Sequence, residues 1–290
     1  MHQFAHLAQR MFNRPLAIHR DKAEIVISAL AERLNITRMV NVDGMAIEPM
    51  AFSLEGEGHQ YRDRDCGYDK VGPVAIIPVQ GTLVQKLGCL RPYSGMTGYD
   101  AIRQAFLTAM DDPDVEAIML DVDSPGGEVS GCFDLVDTIY DARGKKPIHA
   151  ILSDGAYSAA YAIASAADKI AVPRTGGVGS IGVICMHVDF SKALTSAGVQ
   201  VTFITYGDRK ADGHSEIPLS KEALARFQED IDTMGELFVG TVARNRGIAA
   251  DSVRGTQAAT YMGEKGVAQG LADVVAAPDA AFRALLAELA

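Results

Sequence analysis

No two cysteines of this chain stand at a metal-binding or redox spacing. Cys66, Cys89, Cys132 and Cys185 lie far apart and offer no CxxC pair. A zinc site or a disulfide framework is therefore not expected, and reduced thiols in a cytoplasmic compartment are. Basic charge is also short: 27 lysines and arginines face 37 acidic residues, a net charge of −10. That balance excludes a broad phosphate-binding surface, so no nucleic-acid partner is expected. No stretch approaches about 18 uninterrupted apolar residues, and no membrane span is expected. The opening MHQFAHLAQRMFNRP lacks an apolar core followed by a small-residue cleavage site, so no secretory leader is expected either. No fixed-period repeat is visible. What is present is a globular composition, 48% hydrophobic with 28 glycines in 290 residues.

Two regions differ in pattern. DKAEIVISALAERL (21–34) places apolar residues at helical spacing behind an acidic first turn, predicting an amphipathic helix. The stretch from Glu48 to Gly72 mixes glycine and charge with few large hydrophobes and reads as a linker. This divides the chain into an N-terminal helical arm and linker, 1–72, and a main domain, 73–290. From Val74 onward strands and helices alternate: VAIIPVQGTLV, the helix GYDAIRQAFLTAMDDPDV with Ile102, Phe106 and Met110 on one face, EAIMLDVDSPGG, and the helix VSGCFDLVDTIYDARGKK. PIHAILSD, an alanine helix, KIAVP, VGSIGVICM and VTFITYG follow, then a long helix from Ser220 to Arg246. Strands joined by crossover helices predict an α/β sheet covered on both faces.

Three stretches have the residue types for chemistry. In DGAYSAAYAIASAADKI, Ser158 stands at the first turn of the alanine helix, placed either to cap it or to act as a nucleophile on a strand-to-helix elbow. In Asp123-Ser124-Pro125-Gly126-Gly127, the glycines serve a tight turn, or present bare N–H groups to an oxyanion. The run Gly176 to Gly182 resembles a phosphate loop in composition but lacks the GK[ST] ending, and suits a glycine strand closely approached by another backbone. A serine nucleophile needs a base. Of the seven histidines, His2, His6 and His19 lie in the arm, His59 in the linker and His214 in a polar loop, while His149 fits a core position. His187 remains as a base, and Lys210 of TYGDRKADG is the other candidate.

LDVDSPGG, GAYSAAYAIASAADKI, GGVGSIGVI and TYGDRKADG, in this order and spacing, resemble the signal peptide peptidase A family of serine peptidases, in the Clp-protease/crotonase superfamily. The likeness spans roughly 74–275. It is greatest to the lambda protein C-like capsid maturation proteases, to which MTGYDAIRQAF also points. The resemblance implies a core of repeated strand-strand-helix units and a Ser–Lys dyad with Ser158 as nucleophile and Lys210 as base. It also implies oxyanion donors at the Gly127 and Ala159 N–H groups beside Gly126, and Ser180 as a residue orienting the lysine. Many relatives read Ser-Gly-Gly where this chain reads Ser158-Ala159-Ala160.

The expected chemistry is acyl transfer to Ser158 with no metal or cofactor. A lysine acts as base only when neutral, the form an apolar pocket favours. The expected substrate is a protein or peptide, a capsid scaffold or portal protein, cut by a homo-oligomeric ring away from membrane, in host cytoplasm or prohead. The alternatives are a signal-peptide-degrading or general cytoplasmic peptidase of the same family, a Ser-His-Asp peptidase built on His187, an acyl-CoA enzyme of the crotonase type, and an inactive scaffold component of a virus head.

Overall fold

The computed structural model describes residues 14–19, 22–23, 39–40, 46–47, 67–88 and 95–290. The helix expected over 21–34, apart from residues 22–23, and most of the expected linker lie outside them. In chain order the first strands are β1 (Pro15–Ile18), the antiparallel pair β2 (Met39–Val40) and β3 (Ala46–Ile47), β4 (Asp69–Val71), β5 (Val74–Val84) and β6 (Met96–Gly98). Helix α1 (Tyr99–Asp111), β7 (Ala117–Glu128), α2 (Cys132–Tyr140), β8 (Ile148–Tyr157) and α3 (Ala159–Ser165) follow. Then come β9 (Lys169–Val172), β10 (Gly177–Gly179), β11 (Ile184–Cys185), α4 (Ser191–Ser196) and the long α5 (Lys221–Arg246). The chain closes with α6 (Ala250–Gly255), β12 (Thr260–Met262), α7 (Glu264–Ala268), β13 (Val274–Val275) and α8 (Pro278–Glu288).

The fold is mixed α/β around a mostly parallel sheet, in keeping with the Clp/crotonase expectation. β5, β7 and β8 run parallel, extended by β9 and β13 beyond β8 and bordered by antiparallel β4 beyond β5. Their apolar runs are buried because helices cover them. Phe106 and Ile102 of α1 and Phe238 of α5 are fully enclosed, and Met110 packs against the same core.

Two register shifts shape the functional end of the sheet. The β5–β7 pairing slips between Gln80 and Thr82, and the β7–β8 pairing slips between Val122 and Ser124. Such bulges bend a strand and raise its twist, and past them the strand ends acquire new partners. Gly126–Glu128 pair antiparallel with β1, which in turn pairs with β11. Ala156 and Tyr157 pair parallel with β10, which pairs with β12. Residues 15–18, expected in a separate arm, thus lie in the main sheet, and β4 begins before the expected boundary at 72.

Two expected strands differ. VTFITYG forms none: residues 201–205 have no ladder partner, and Ile204 and Tyr206 stand fully exposed at 97% and 103%. Alternating hydrophobicity makes a strand only where a sheet edge receives it. VGSIGVICM breaks into β10 and β11, interrupted at Ser180, whose φ of 56° no regular strand accommodates. The long helix starts as expected, with the Ser220 hydroxyl accepting from the Ala223 N–H at 3.0 Å. Its apolar stripe is core only near the C-terminal end: Phe238 is buried, Phe227, Ile231 and Met234 are partly covered, and Leu224 is exposed.

Candidate active site

Ser158 joins β8 to α3 at φ 55°, ψ −122°, a conformation costly for a residue with a side chain. Its backbone carbonyl accepts from Ala162 N–H at 2.9 Å, while its side chain makes no capping hydrogen bond. The capping reading therefore fails. The hydroxyl donates to the Gly182 carbonyl at 3.4 Å, and the residue is 1% exposed. A strained, enclosed serine at a sharp strand-to-helix turn is the placement a nucleophile elbow uses.

The alanines after it answer to packing. Every residue of α3 is buried, against β7, α2 and α5. Side chains no larger than methyl at Ala159, Ala160 and Ala162 let that short helix sit close to the strand. Tyr161, buried in the same helix, donates its hydroxyl to Leu271 O at 2.9 Å. As the first residue of α3, Ala159 carries an N–H that helical geometry leaves without an intrahelical acceptor.

The Ser124–Gly127 turn is fixed from two sides. Ser124 Oγ donates to Gly81 O at 2.6 Å and accepts from Gly126 N–H at 3.1 Å. The Gly126 N–H is thereby engaged, and Gly127 is the neighbouring candidate donor. Gly126 sits at φ 98°, and a Cβ there would fall 2.2 Å from Ala17 O and 3.0 Å from Ser158 Cβ. A Cβ on Gly127 would strike Leu83 O at 1.8 Å. The turn needs both glycines for close approach, and it lies against the serine.

Close approach also explains the second glycine run. Gly179 (φ 114°) accepts from Ser158 N–H at 2.8 Å through its carbonyl, and a Cβ on it would lie 2.5 Å from Ala259 O. Cβ atoms on Gly155 and Gly177 would meet the Tyr157 ring and hydroxyl at 2.4 and 2.5 Å. Ser180 is buried and gives its N–H to Ala259 O at 3.0 Å.

Lys210 is placed differently. It is exposed, in a turn where its N–H reaches Gly207 O at 3.1 Å. Ser158, Gly126, Gly127, Ala159 and Ser180 cluster; Lys210 stays in the exposed segment. That segment is moored to α5 by Arg226, whose Nε donates to Asp212 Oδ2 at 2.8 Å. His187 is half-buried, beyond β11. His149, expected in the core, is 6% exposed with Nε2 3.2 Å from Glu288 Oε2. Burial holds its pKa below the ordinary 6.5, with Glu288 opposing.

Two further residues position the site: Ser124 lies inside the glycine turn, where nothing in the sequence marks it with a role of its own, and Arg143 lies in no motif. Ser124 fixes the glycine turn. Arg143 reaches the C-terminal end of α3, donating to Ser165 O (2.9 Å), Ala166 O (2.8 Å), Ala167 O (2.5 Å) and Asn245 O (3.1 Å). It thereby anchors the helix whose first turn follows the serine. Among the described residues, no cluster of histidine, cysteine and carboxylate side chains is arranged to hold a metal, and no helix is long and apolar enough to cross a membrane.

The chain is 37% identical over 273 residues to the head-tail preconnector protein GP5 of Enterobacteria phage P21, covering 93% of this chain and 54% of that one. It is 36% identical over 272 residues to the capsid assembly protease C of Escherichia phage lambda, covering 92% and 62%. The chain thus spans less than two thirds of either relative's length. A putative signal peptide peptidase SppA of Enterococcus faecium is 28% identical over 193 residues, covering 64% of this chain and 56% of that protein. Residues 141–290, which include Ser158, Ser180 and Lys210, match peptidase family S49, and the chain belongs to that family.

Proposed function

We propose that this chain is a serine endopeptidase that cuts head proteins during phage capsid maturation, with Ser158 as nucleophile and Lys210 as base. The observation that carries this reading is the buried, positive-φ Ser158, which spends its strain on an elbow beside Gly127 instead of capping its helix. A peptide strand laid along Gly126–Glu128 would present its carbonyl to Ser158 Oγ. The serine attacks that carbon as Lys210 takes its proton. The oxyanion accepts from the Gly127 and Ala159 N–H groups, each such donor being worth about 10²–10³ in rate. The proton returns to the leaving amine, and water then releases the acyl group with the same lysine as base. Gly126 and Ser180 support the turn and the glycine strand.

Lys210 has to be delivered. The segment 199–219 carries it on a surface where Ile204 and Tyr206 are exposed, and the first half of α5 keeps an incompletely covered stripe beside it. Closure of a homo-oligomeric ring over this face would seat the segment, exclude water and favour the neutral lysine. The two phage relatives support the choice of capsid proteins as substrates.

The test is labelling by a serine-reactive fluorophosphonate, located by mass spectrometry, with light scattering on the same sample. Label on Ser158, lost in Ser158→Ala and slowed in Lys210→Ala but not in His187→Ala, is expected. The double variant should be little worse than either single one in cleaving a co-encoded head protein. Dependence on His187 in place of Lys210 would hand the site to a triad. No labelling at all would leave the inactive scaffold component, and a fully active monomer would remove the ring.

A further inference from the structure

The groove beside the serine is filled by the chain itself. β1 lies between β7 and β11, with Leu16 opposite Glu128 on one side and Ile184 on the other. Leu16, Ala17 and Ile18 are 2%, 0% and 5% exposed. On the β7 side, Val129 N–H reaches Pro15 O at 3.5 Å and His19 N–H reaches Pro125 O at 2.6 Å. Hydrogen-bonded pairs in an antiparallel ladder recur every second residue. Ala17 opposite Gly127 is therefore the pair between them, and the Gly127 N–H is directed at the Ala17 carbonyl. The approach to Gly126 and Ser158 puts that carbonyl oxygen at the same spot: one Cβ built on Gly126 would meet both Ala17 O and Ser158 Cβ. Past it, the His19 and Tyr157 rings pack with centroids 5.0 Å apart.

We propose that Pro15–His19 is an internal pseudosubstrate: it holds the cleft in the register of a bound peptide, with Ala17 where the attacked residue belongs, and substrates bind only once it has left. The proposed use of the site does not require this: β8 pairs with β7 only as far as Ser124, and the edge that Gly126–Glu128 leave beyond it could have stayed open. β1 instead places a small residue's carbonyl at the candidate oxyanion donor and buries its flanks as a ligand would be buried. Strand addition of this kind supplies affinity through main-chain bonds and specificity through alternate side-chain pockets. An intramolecular strand has the advantage of effective concentration over any free peptide. This rests on Ser158 being the nucleophile only in identifying the groove as the substrate's.

Pro15 faces the native Cys185 in the β1–β11 register. Directly paired residues of an antiparallel ladder have Cα atoms about 4.5–5.5 Å apart, within the roughly 4.4–6.8 Å a disulfide spans. Pro15→Cys in a Ser158→Ala background thus allows the strand to be locked by oxidation and freed by reduction. Ala17→Arg, placing a large charged side chain at a position with no exposure, dislodges it. Binding of a dye-labelled peptide RPLAIH is read by fluorescence polarisation in the locked, reduced and dislodged forms, with Ser158→Ala alone carried through the same oxidation.

The locked form should bind at least about tenfold more weakly than the reduced form, because apparent affinity scales with the fraction of open sites. The dislodged form should bind more tightly still. Equal behaviour of all three, whether binding or none, overturns the proposal. The locked and reduced forms share one sequence, so their contrast stands even if Ala17→Arg does not fold. No catalysis enters the measurement. Absence of fluorophosphonate labelling in Ala17→Arg with Ser158 intact, where the groove is open, would strike the peptidase reading alone, and peptide binding indifferent to the strand would strike the pseudosubstrate alone.

Discussion

The backbone N–H of Ser158 donates to the carbonyl oxygen of Gly179 at 2.8 Å, tying the serine elbow to the glycine strand β10. Gly179 can serve only as glycine, since its φ is 114° and a Cβ would press on Ala259 O. Gly179→Ala should shift the serine while the remote core persists. Misplacement of a reacting group by about 1 Å costs on the order of 100-fold, so fluorophosphonate labelling should slow to that extent with thermal unfolding still cooperative. Labelling within twofold of the unaltered protein would show that β10 does not position the serine.

Ser124 acts through the glycine turn and touches no substrate. Ser124→Ala removes both the donor to Gly81 O and the acceptor of Gly126 N–H. The turn then loses its definition beside the candidate oxyanion donor. The expected result is a fall in kcat of about tenfold or more with KM little changed, the pattern of an interaction made in the transition state. Ser124→Thr should restore most of it; an equal loss of stability without the kcat effect would mark a purely structural role.

Arg143→Ala strips four carbonyl oxygens at the back of the site of their shared donor. Leaving buried acceptors unmet costs about 1–3 kcal/mol each when water does not replace the donor. A net loss on the order of 3 kcal/mol in urea unfolding is expected. Arg143→Lys should recover only part, because an ammonium lacks the planar fork that spans these acceptors.

His149 adds a pH dependence to stability. Burial, the larger cause, favours its neutral form, and Glu288 only partly opposes this. Because its folded pKa is depressed, the unfolded chain takes up a proton below the ordinary 6.5 while the folded one does not. Stability from this residue is thus complete above 6.5 and falls as the pH drops, at no more than about 1.4 kcal/mol per pH unit. Unfolding midpoints at pH 7.5 and 5.5 should differ less in His149→Gln than in the unaltered protein. An identical difference in both would assign the pH dependence to other groups.

Much of the sheet is legible in the chain because β5, β7 and β8 are buried on both faces and therefore written as apolar runs ended by turn residues. The serine elbow and its glycines are legible for a related reason: positive φ and backbone contact admit few residue types, and those leave a mark. β1 is not legible. PLAI is too short a run to stand out, and its partners are more than a hundred residues away. VTFITYG misleads in the opposite way: it is apolar like a strand, yet pairs with none of the described strands. Arg143 escapes, and the role of Ser124 inside the glycine turn does too, because what they hold is backbone, and backbone partners have no sequence signature. Lys210 is singled out only by the resemblance, since an exposed lysine in a turn carries no mark of its own.

The placement of β1 also sets an order of events during synthesis. Residues 15–18 leave the ribosome long before their partners at 126–128 and 184–185 exist. At about 5–20 residues per second, the wait is on the order of ten seconds or more. When the serine elbow and its glycine turn first come together, the occupant of their groove is already made and attached to the same chain. On the pseudosubstrate proposal, a nascent copy is latent from the moment the Ser158 elbow is formed, and neighbouring chains are spared until something draws that strand away.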